Sequence, residues 1–214
     1  IQPQYKKASS FSEGFAAVLY EDKWGLINEK GEWALQPEYD RVKNYNSGYV
    51  LVLKNDAWTY VNEKNEQLTV PFSEKYFDFK DGVAIYKVGK KVGVFNKEGS
   101  VIIKPKYDVI KAFVNGHARV RIGDYWGMIS NEGKEIIPVE YTEIGQYHDN
   151  GIWARSGESF GIISQGTFNA MIGIDKIWDF NDNSSLTMAR SKKSIGYINT
   201  KGEWVIQPKY KKGR

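Results

Sequence analysis

The sequence contains no cysteine, only two histidines, three methionines and six prolines. Without cysteine there is no disulfide framework, no thiolate metal site and no cysteine nucleophile. Two histidines, His117 and His148, cannot build a three-histidine metal centre. They lie in different positions of the pattern described below and read as surface or capping residues. No apolar run approaches the roughly 20 residues of a membrane-spanning helix. Charge of one sign is also scarce: 30 Lys and Arg face 26 Asp and Glu, a net +4. That balance gives no reason to expect a specific nucleic-acid partner. No Gly-rich phosphate loop, no strained Gly-x-Ser-x-Gly turn and no carboxylate pair in opposed environments is evident, so the sequence gives no sign of an enzyme and calls for no cofactor.

What is present is aromatic and repetitive. Of the 214 residues, 14% are aromatic and 41% hydrophobic, which excludes wholesale disorder. A large apolar residue followed by Gly recurs at Trp24-Gly25, Val92-Gly93, Trp126-Gly127, Phe160-Gly161 and Ile195-Gly196, with Trp58-Thr59 as a degenerate copy. The steps are 34, 34, 34, 34 and 35 residues. A turn such as Asn28-Glu29-Lys30-Gly31 follows, then an apolar stretch ending in Pro and Tyr, as in Gln36-Pro37-Glu38-Tyr39. An aromatic with Gly three residues on, as in Phe11 and Gly14, completes each copy. A fixed period of this kind is the signature of a repeat architecture.

These residues resemble the WG repeat family, also called KWG repeats, across nearly the whole chain. Lys23-Trp24-Gly25-Leu26-Ile27-Asn28 through Gly31, with Pro37 and Tyr39, is the clearest copy. The copy at 57–76 departs, with Thr59 and Asn65 for Gly and an expansion before Tyr76. The copy at 159–178 lacks the Pro and ends in Trp178. The resemblance implies a bacterial repeat protein used for binding or scaffolding, without catalytic residues. It also favours an extracytoplasmic location.

Physically, one repeat reads as three short strands. Phe15 to Tyr20 alternates like a strand, and Gly at the first position of the links Gly89-Lys90, Gly123-Asp124 and Gly157-Glu158 suits a type II′ hairpin turn. The second strand contains Gly25, whose bare backbone invites close approach, expected from an aromatic of a neighbouring repeat. The Asn-x-x-Gly turn fits a bulged hairpin, and Pro37 is expected to end the third strand. A linker of about ten residues, such as 40–48, leads onward. Asp40, Asp78, Asp108 and Asp179, each after an aromatic, are expected to accept backbone N–H bonds.

The expectation is therefore an all-β protein of six tandem repeats of about 34 residues, each an antiparallel meander, forming a single array over 1–214. Ile1-Gln2-Pro3-Gln4-Tyr5 and Ile206-Gln207-Pro208-Lys209-Tyr210 occupy the same slot. That duplication favours an open curved array cut from a longer chain, with a closed six-bladed ring as the alternative. Lys209, Lys211, Lys212 and Arg214 would guard a terminal edge.

A candidate partner site comes from comparing slots. The first strands carry an opposing apolar face, Ala16, Val50, Ala84, Ala118 and Ile152. Two further slots, read as facing outward, hold Ala17, Leu51, Ile85, Arg119, Trp153 and Met188, then Leu19, Leu53, Lys87, Arg121, Arg155 and Arg190. Lys87, Arg119, Arg121, Arg155 and Arg190 beside Trp153 would form a basic ladder suited to an acidic partner. Trp33, Trp153 and Trp204 are the candidates for exposed binding aromatics. The functions in play are a protein-binding scaffold, a module for carbohydrate or anionic polymer, and an accessory segment of an enzyme whose catalytic domain lies elsewhere.

Overall fold

A computed structural model describes residues 4–181 and 183–211. Ile1 to Pro3, Lys212 and Arg214, invoked above for the end slot and edge protection, lie outside the described residues. Among the described residues there is no helix, and hence none able to cross a membrane. The chain folds as tandem antiparallel sheets, none closed into a barrel. It divides into two compact halves, 1–107 and 108–214.

In the first half, sheet 1 comprises Lys7–Ala8, Phe15–Tyr20, Lys23–Asn28 and Trp33–Tyr39 in sequence order. Sheet 2 has three strands, Arg41–Val42, Val50–Lys54 and Ala57–Val61. Sheet 3 has Lys75–Tyr76, Val83–Val88, Lys91–Asn96 and Val101–Tyr107. In the second half, sheet 4 has Val109–Ile110, His117–Ile122, Tyr125–Ser130 and Glu135–Tyr141. Sheet 5 has Glu143–Ile144, Ile152–Ser156, Ser159–Ser164 and Thr167–Ala170. Sheet 6 has Lys176–Ile177, Thr187–Ser191, Ser194–Ile198 and Trp204–Tyr210.

In five of the six sheets the three expected strands are thus joined by a two-residue strand drawn from the expected linker; sheet 2 has the short strand and two of the three. The rest of that linker folds into a tight turn. Glu13-Gly14, Ser47-Gly48, Asp81-Gly82 and Asn115-Gly116 all have positive φ at both central residues, the sign pattern of a type I′ hairpin. The next hairpin has positive φ at Glu21, Gly89, Gly123 and Gly157 but not at the residue after, as a type II′ turn requires. The Asn-x-x-Gly turn is organised by its asparagine. Asn28 Oδ1 accepts the N–H of Lys30 and of Glu32, each at 3.0 Å, and Gly31 sits at φ 83°.

Two local expectations change. The third strand runs through Pro37 to Tyr39, because the ladder bulges there: Trp24 pairs with Tyr39 and Leu26 with Leu35, so Pro37 has no ladder bond to donate. The third strand's backbone also accounts for the glycine, with the bulge or without it: in the unbulged sheet 5 a Cβ on Gly161 would collide with the Asn169 carbonyl oxygen. A Cβ on Gly25 would lie 2.7 Å from the Leu35 carbonyl oxygen, and one on Gly127 would lie 2.6 Å from that of Ile137. The close approach therefore comes mainly from the repeat's own third strand; in sheet 1 the ring of Trp33, on that strand, adds to it. Sheet 2 is the natural control. Thr59 stands at the glycine position, and no third long strand pairs beyond Ala57–Val61 apart from a bridge at Gln67.

Within each half, most of the core lies between consecutive sheets. Ala17, Leu26 and Leu35 of sheet 1 pack against Val50, Val52 and Val61 of sheet 2. Leu51 and Tyr60 of sheet 2 meet Ala84, Tyr86 and Phe95 of sheet 3. Met128, Ile137 and Tyr141 of sheet 4 meet Ile144, Ile152, Ala154 and Ile163 of sheet 5, and Ile162 meets Ala189 and Ile198 of sheet 6. Strands packed on both faces carry near-continuous apolar runs, as in Phe15–Tyr20. The slot read as outward is therefore an inter-sheet slot, with Ala17 and Leu51 only 2% and 4% exposed.

Buried tyrosines fasten these layers. Tyr39 hydroxyl donates to Asn65 Oδ1 at 2.6 Å, and Tyr45 hydroxyl to Glu63 Oε2 at 2.6 Å. Burial, with Glu38 adding to it, pushes the Tyr39 phenol up to about 12. Burial also raises Tyr45, reinforced by Glu63, and Tyr60.

Two predictions follow from the bulge and from these phenols. Gly127→Val should destabilise by about 1–3 kcal/mol or more in denaturant unfolding, since the atoms in its way are backbone. A neutral phenol favoured by folding contributes stability below the unfolded value near 10 and loses it as pH rises through the folded value. The thermal midpoint should therefore fall between about pH 10 and 12, with tyrosinate absorbance appearing as the structure is lost.

Candidate functional site

Asp40 and Asp108 cap hairpins as expected. Asp108 Oδ2 accepts the Gly123 N–H at 2.8 Å, and Asp40 Oδ2 that of Asn55 at 3.3 Å while its Oδ1 meets Lys23 Nζ at 2.5 Å. Glu74 does the same for Gly89 at 3.0 Å. Asp78 and Asp179 belong to a different slot, four residues further on. Asp179 Oδ1 accepts the Trp153 Nε1–H at 2.7 Å and the Gln146 N–H at 3.0 Å. Trp153 is thus half-buried against sheet 6 and not an exposed aromatic. Trp33 packs on the Ala16, Val18 and Ile27 cluster, and Trp204 on the Ile162 to Ile198 cluster.

The basic residues divide in two ways. Lys87 belongs to the first half and the four arginines to the second. Arg121 and Arg155 hold equivalent registers, opposite Trp126 and Phe160, with guanidinium carbons 5.6 and 5.3 Å from those rings. Arg155 Nη1 meets Glu143 Oε1 at 2.8 Å, and Arg190 pairs with Asp175. Both carboxylates come from the segment beginning the extra short strand, which slot comparison along the first strands could not reveal. Arg119 Nη1 donates to the Ile144 carbonyl of sheet 5 at 3.2 Å and so ties two sheets together. Arg119, Arg121 and Arg155 each keep a buried Nε without a hydrogen-bond partner.

His117 stacks on Tyr147, rings 3.5 Å apart and 7° from parallel, and its Nδ1 lies 2.7 Å from the Asn115 carbonyl. His148 Nδ1 accepts the Asn150 N–H at 3.1 Å. Among the described residues no group of three His, Asp or Glu is placed to hold a metal.

The concave features are inter-sheet grooves. One of about 530 Å³ opens between sheets 5 and 6. Trp153, Phe160, Ile174 and Ile177 form its apolar floor, and Glu143, Arg155, Glu158, Asp175 and Lys176 its rim. A second, of about 370 Å³, opens between sheets 2 and 3, with Leu51, Trp58 and Tyr76 as floor and Lys43, Asp56, Glu74 and Lys75 as rim. The two occupy the same place in the repeat: Leu51 corresponds to Trp153, Trp58 to Phe160, Glu74 to Asp175 and Lys75 to Lys176. Sequence inspection singled out Trp153 and Arg155 but not the grooves, although the degenerate copies at 57–76 and 159–178 mark both. A third cavity of about 500 Å³ lies between sheets 4 and 5 beside Tyr147 and His148. Asp179→Ala should weaken the Trp153 anchor and cost about 1 kcal/mol in denaturant unfolding, with Asp179→Asn costing less because one acceptor survives.

No curated protein matches the sequence. Among solved structures, a eukaryotic initiation factor is similar at 10% identity and a TM-score of 0.50, over 98% of this chain and 67% of that one. Hsv2 of Kluyveromyces marxianus is similar at 9% identity and a TM-score of 0.47, over 93% of this chain and 77% of that one. Such likeness concerns the fold alone; the neighbours are propeller-like proteins. The family model described as "WG containing repeat" matches residues 1–24, 24–58, 93–126, 126–155 and 195–213. The unmatched stretches hold the segments Ser73–Tyr76 and Ile174–Ile177 that line the two grooves. With matches over more than half its length, the chain belongs to the WG-repeat family.

Proposed function

We propose that this chain is a non-enzymatic binding or scaffolding module that engages other proteins through the grooves flanking sheets 2 and 5. The observation that carries this is the recurrence of one groove at equivalent positions of two repeats, each with an apolar floor and a rim of both signs. Cavities of roughly 300–1,000 Å³ with apolar walls and a few polar groups suit specific recognition. An acidic polymer would favour unpaired cations, whereas Arg155 and Arg190 already face Glu143 and Asp175. The stacked guanidinium of Arg121, with its unpartnered Nε, is the feature that favours the second reading, an anionic polymer.

The test compares the native chain with Ser73→Tyr plus Ile174→Tyr, which fills both grooves, and with Lys87→Glu plus Arg121→Glu. Lys30→Glu plus Lys64→Glu, in the hairpin turns, is the charge control. Partner proteins retained from an extract of the source cells by the native chain should be lost on groove filling and kept by both charge variants. Steeply salt-dependent binding to an acidic polysaccharide, lost only in the Lys87 and Arg121 variant, would favour the polymer instead.

A further inference from the structure

The third long strand lies at the outer edge of its sheet, where unpaired backbone N–H and C=O groups can template pairing with another chain. In sheets 1, 3, 4 and 6 that edge is blunted. Trp33–Tyr39, Val101–Tyr107, Glu135–Tyr141 and Trp204–Tyr210 each carry a proline, a ladder with two register shifts and at least one charged residue. In sheet 2, Gln67 and Leu68 partly close the edge of Ala57–Val61. Sheet 5 has none of these devices. Thr167–Ala170 pairs in regular register with residues 161–164 and contains no proline, and Thr167, Asn169 and Ala170 are exposed. It sits within residues 159–174, the longest stretch of the chain without Asp, Glu, Lys or Arg.

Hydrogen-bond parity decides which groups of this edge are free. Gln165 and Gly166 both have positive φ, as in a two-residue type I′ turn that closes the hairpin with a bonded pair at Ser164 and Thr167. Met171 N–H donates to the Phe160 carbonyl at 2.8 Å. Antiparallel bonds recur at every second residue, so Thr167, Asn169 and Met171 bond inward, while Phe168 and Ala170 direct their N–H and C=O groups outward. Among the described residues no backbone group outside the sheet bonds to either.

We infer that this edge pairs with the same edge of a second copy of the chain, antiparallel and about a two-fold axis at Asn169. The register centred on Asn169 is the one that keeps both outward pairs within Thr167–Ala170. Phe168 of each copy meets Ala170 of the other, and each such pair exchanges both of its backbone bonds. Large Phe168 then lies beside small Ala170 on one face, and the amide of Asn169 faces its own counterpart on the other. A second copy brings an edge of the same length and the same neutrality, so self-pairing meets no like-charge repulsion. Thr167–Ala170 lines neither groove, and the inference therefore stands apart from the binding function proposed above.

The experiment measures self-association of the intact chain by sedimentation equilibrium. The native chain should form a concentration-dependent dimer. Asn169→Lys and Asn169→Glu, each alone, set like charges directly across the axis and should each weaken dimerisation at least about fivefold at low salt. An equimolar mixture of the two should restore a dimer, now mixed, which also shows that both variants fold. Val205→Lys, on the exposed outer strand of sheet 6, is the control and should leave dimerisation unchanged. A native chain that stays monomeric at millimolar concentration would overturn the inference. A dimer indifferent to both Asn169 variants would do so too, because it places the interface elsewhere. A mixture that fails to dimerise, while each variant keeps the native circular dichroism spectrum, would remove the two-fold register and with it the inference.

Discussion

A meander of two- to seven-residue strands has two apolar faces and too little area to bury either of them alone, so each sheet depends on its neighbour. That dependence shapes most of what the chain displays. It explains why Val50–Lys54 reads almost wholly apolar, with Val50, Leu51 and Val52 all buried although they point to alternate faces. It explains why charged side chains are concentrated at hairpins and groove rims. Charged residues that do enter the interface act as struts, as Arg119 does towards Ile144.

Within that arrangement the glycine admits the third strand's backbone and the proline marks its bulge. The third strand's backbone lies against the second strand, where only a residue without Cβ leaves room, both beside the bulge at Pro37 and in the regular ladder of sheet 5. The bulge in turn returns the chain so that Tyr39 lands opposite Trp24 and seals the inter-sheet space. Losing the glycine or the proline uncouples the series. Thr59 goes with a sheet that lacks its third long strand. The absence of proline after Gly161 goes with a regular, unbulged pairing to Thr167–Ala170. In both cases the tyrosine is gone, Met171 or Leu68 packs into the core in that region, and a groove lies beside the following short strand.

Irregularity in this repeat is therefore concentrated where recognition is proposed. The regular copies are locally consistent, each turn residue and glycine serving the same packing. Departures from a self-consistent pattern are where functional sites are expected, because the residues there no longer serve the fold alone. The grooves fit that expectation better than the basic ladder does, since Arg155 and Arg190 have acidic neighbours that make their charges structurally intelligible.

The sequence by itself determined the 34-residue period, the three long strands of the regular copies, the type II′ and Asn-x-x-Gly turns and the special status of Gly25, Gly93 and Gly127. All of these are local: turn φ values, strand alternation and the absence of a side chain act within a few residues. Only the tertiary structure decided what those elements meet. Ala17 and Leu51 share a strand face that alternation alone assigns to solvent, and the next sheet covers it. Glu143 and Asp175 lie 12 and 15 residues from the arginines they brace, on or just before a short strand too brief to carry a pattern. The grooves lie between two sheets, and a space between layers has no signature along one strand.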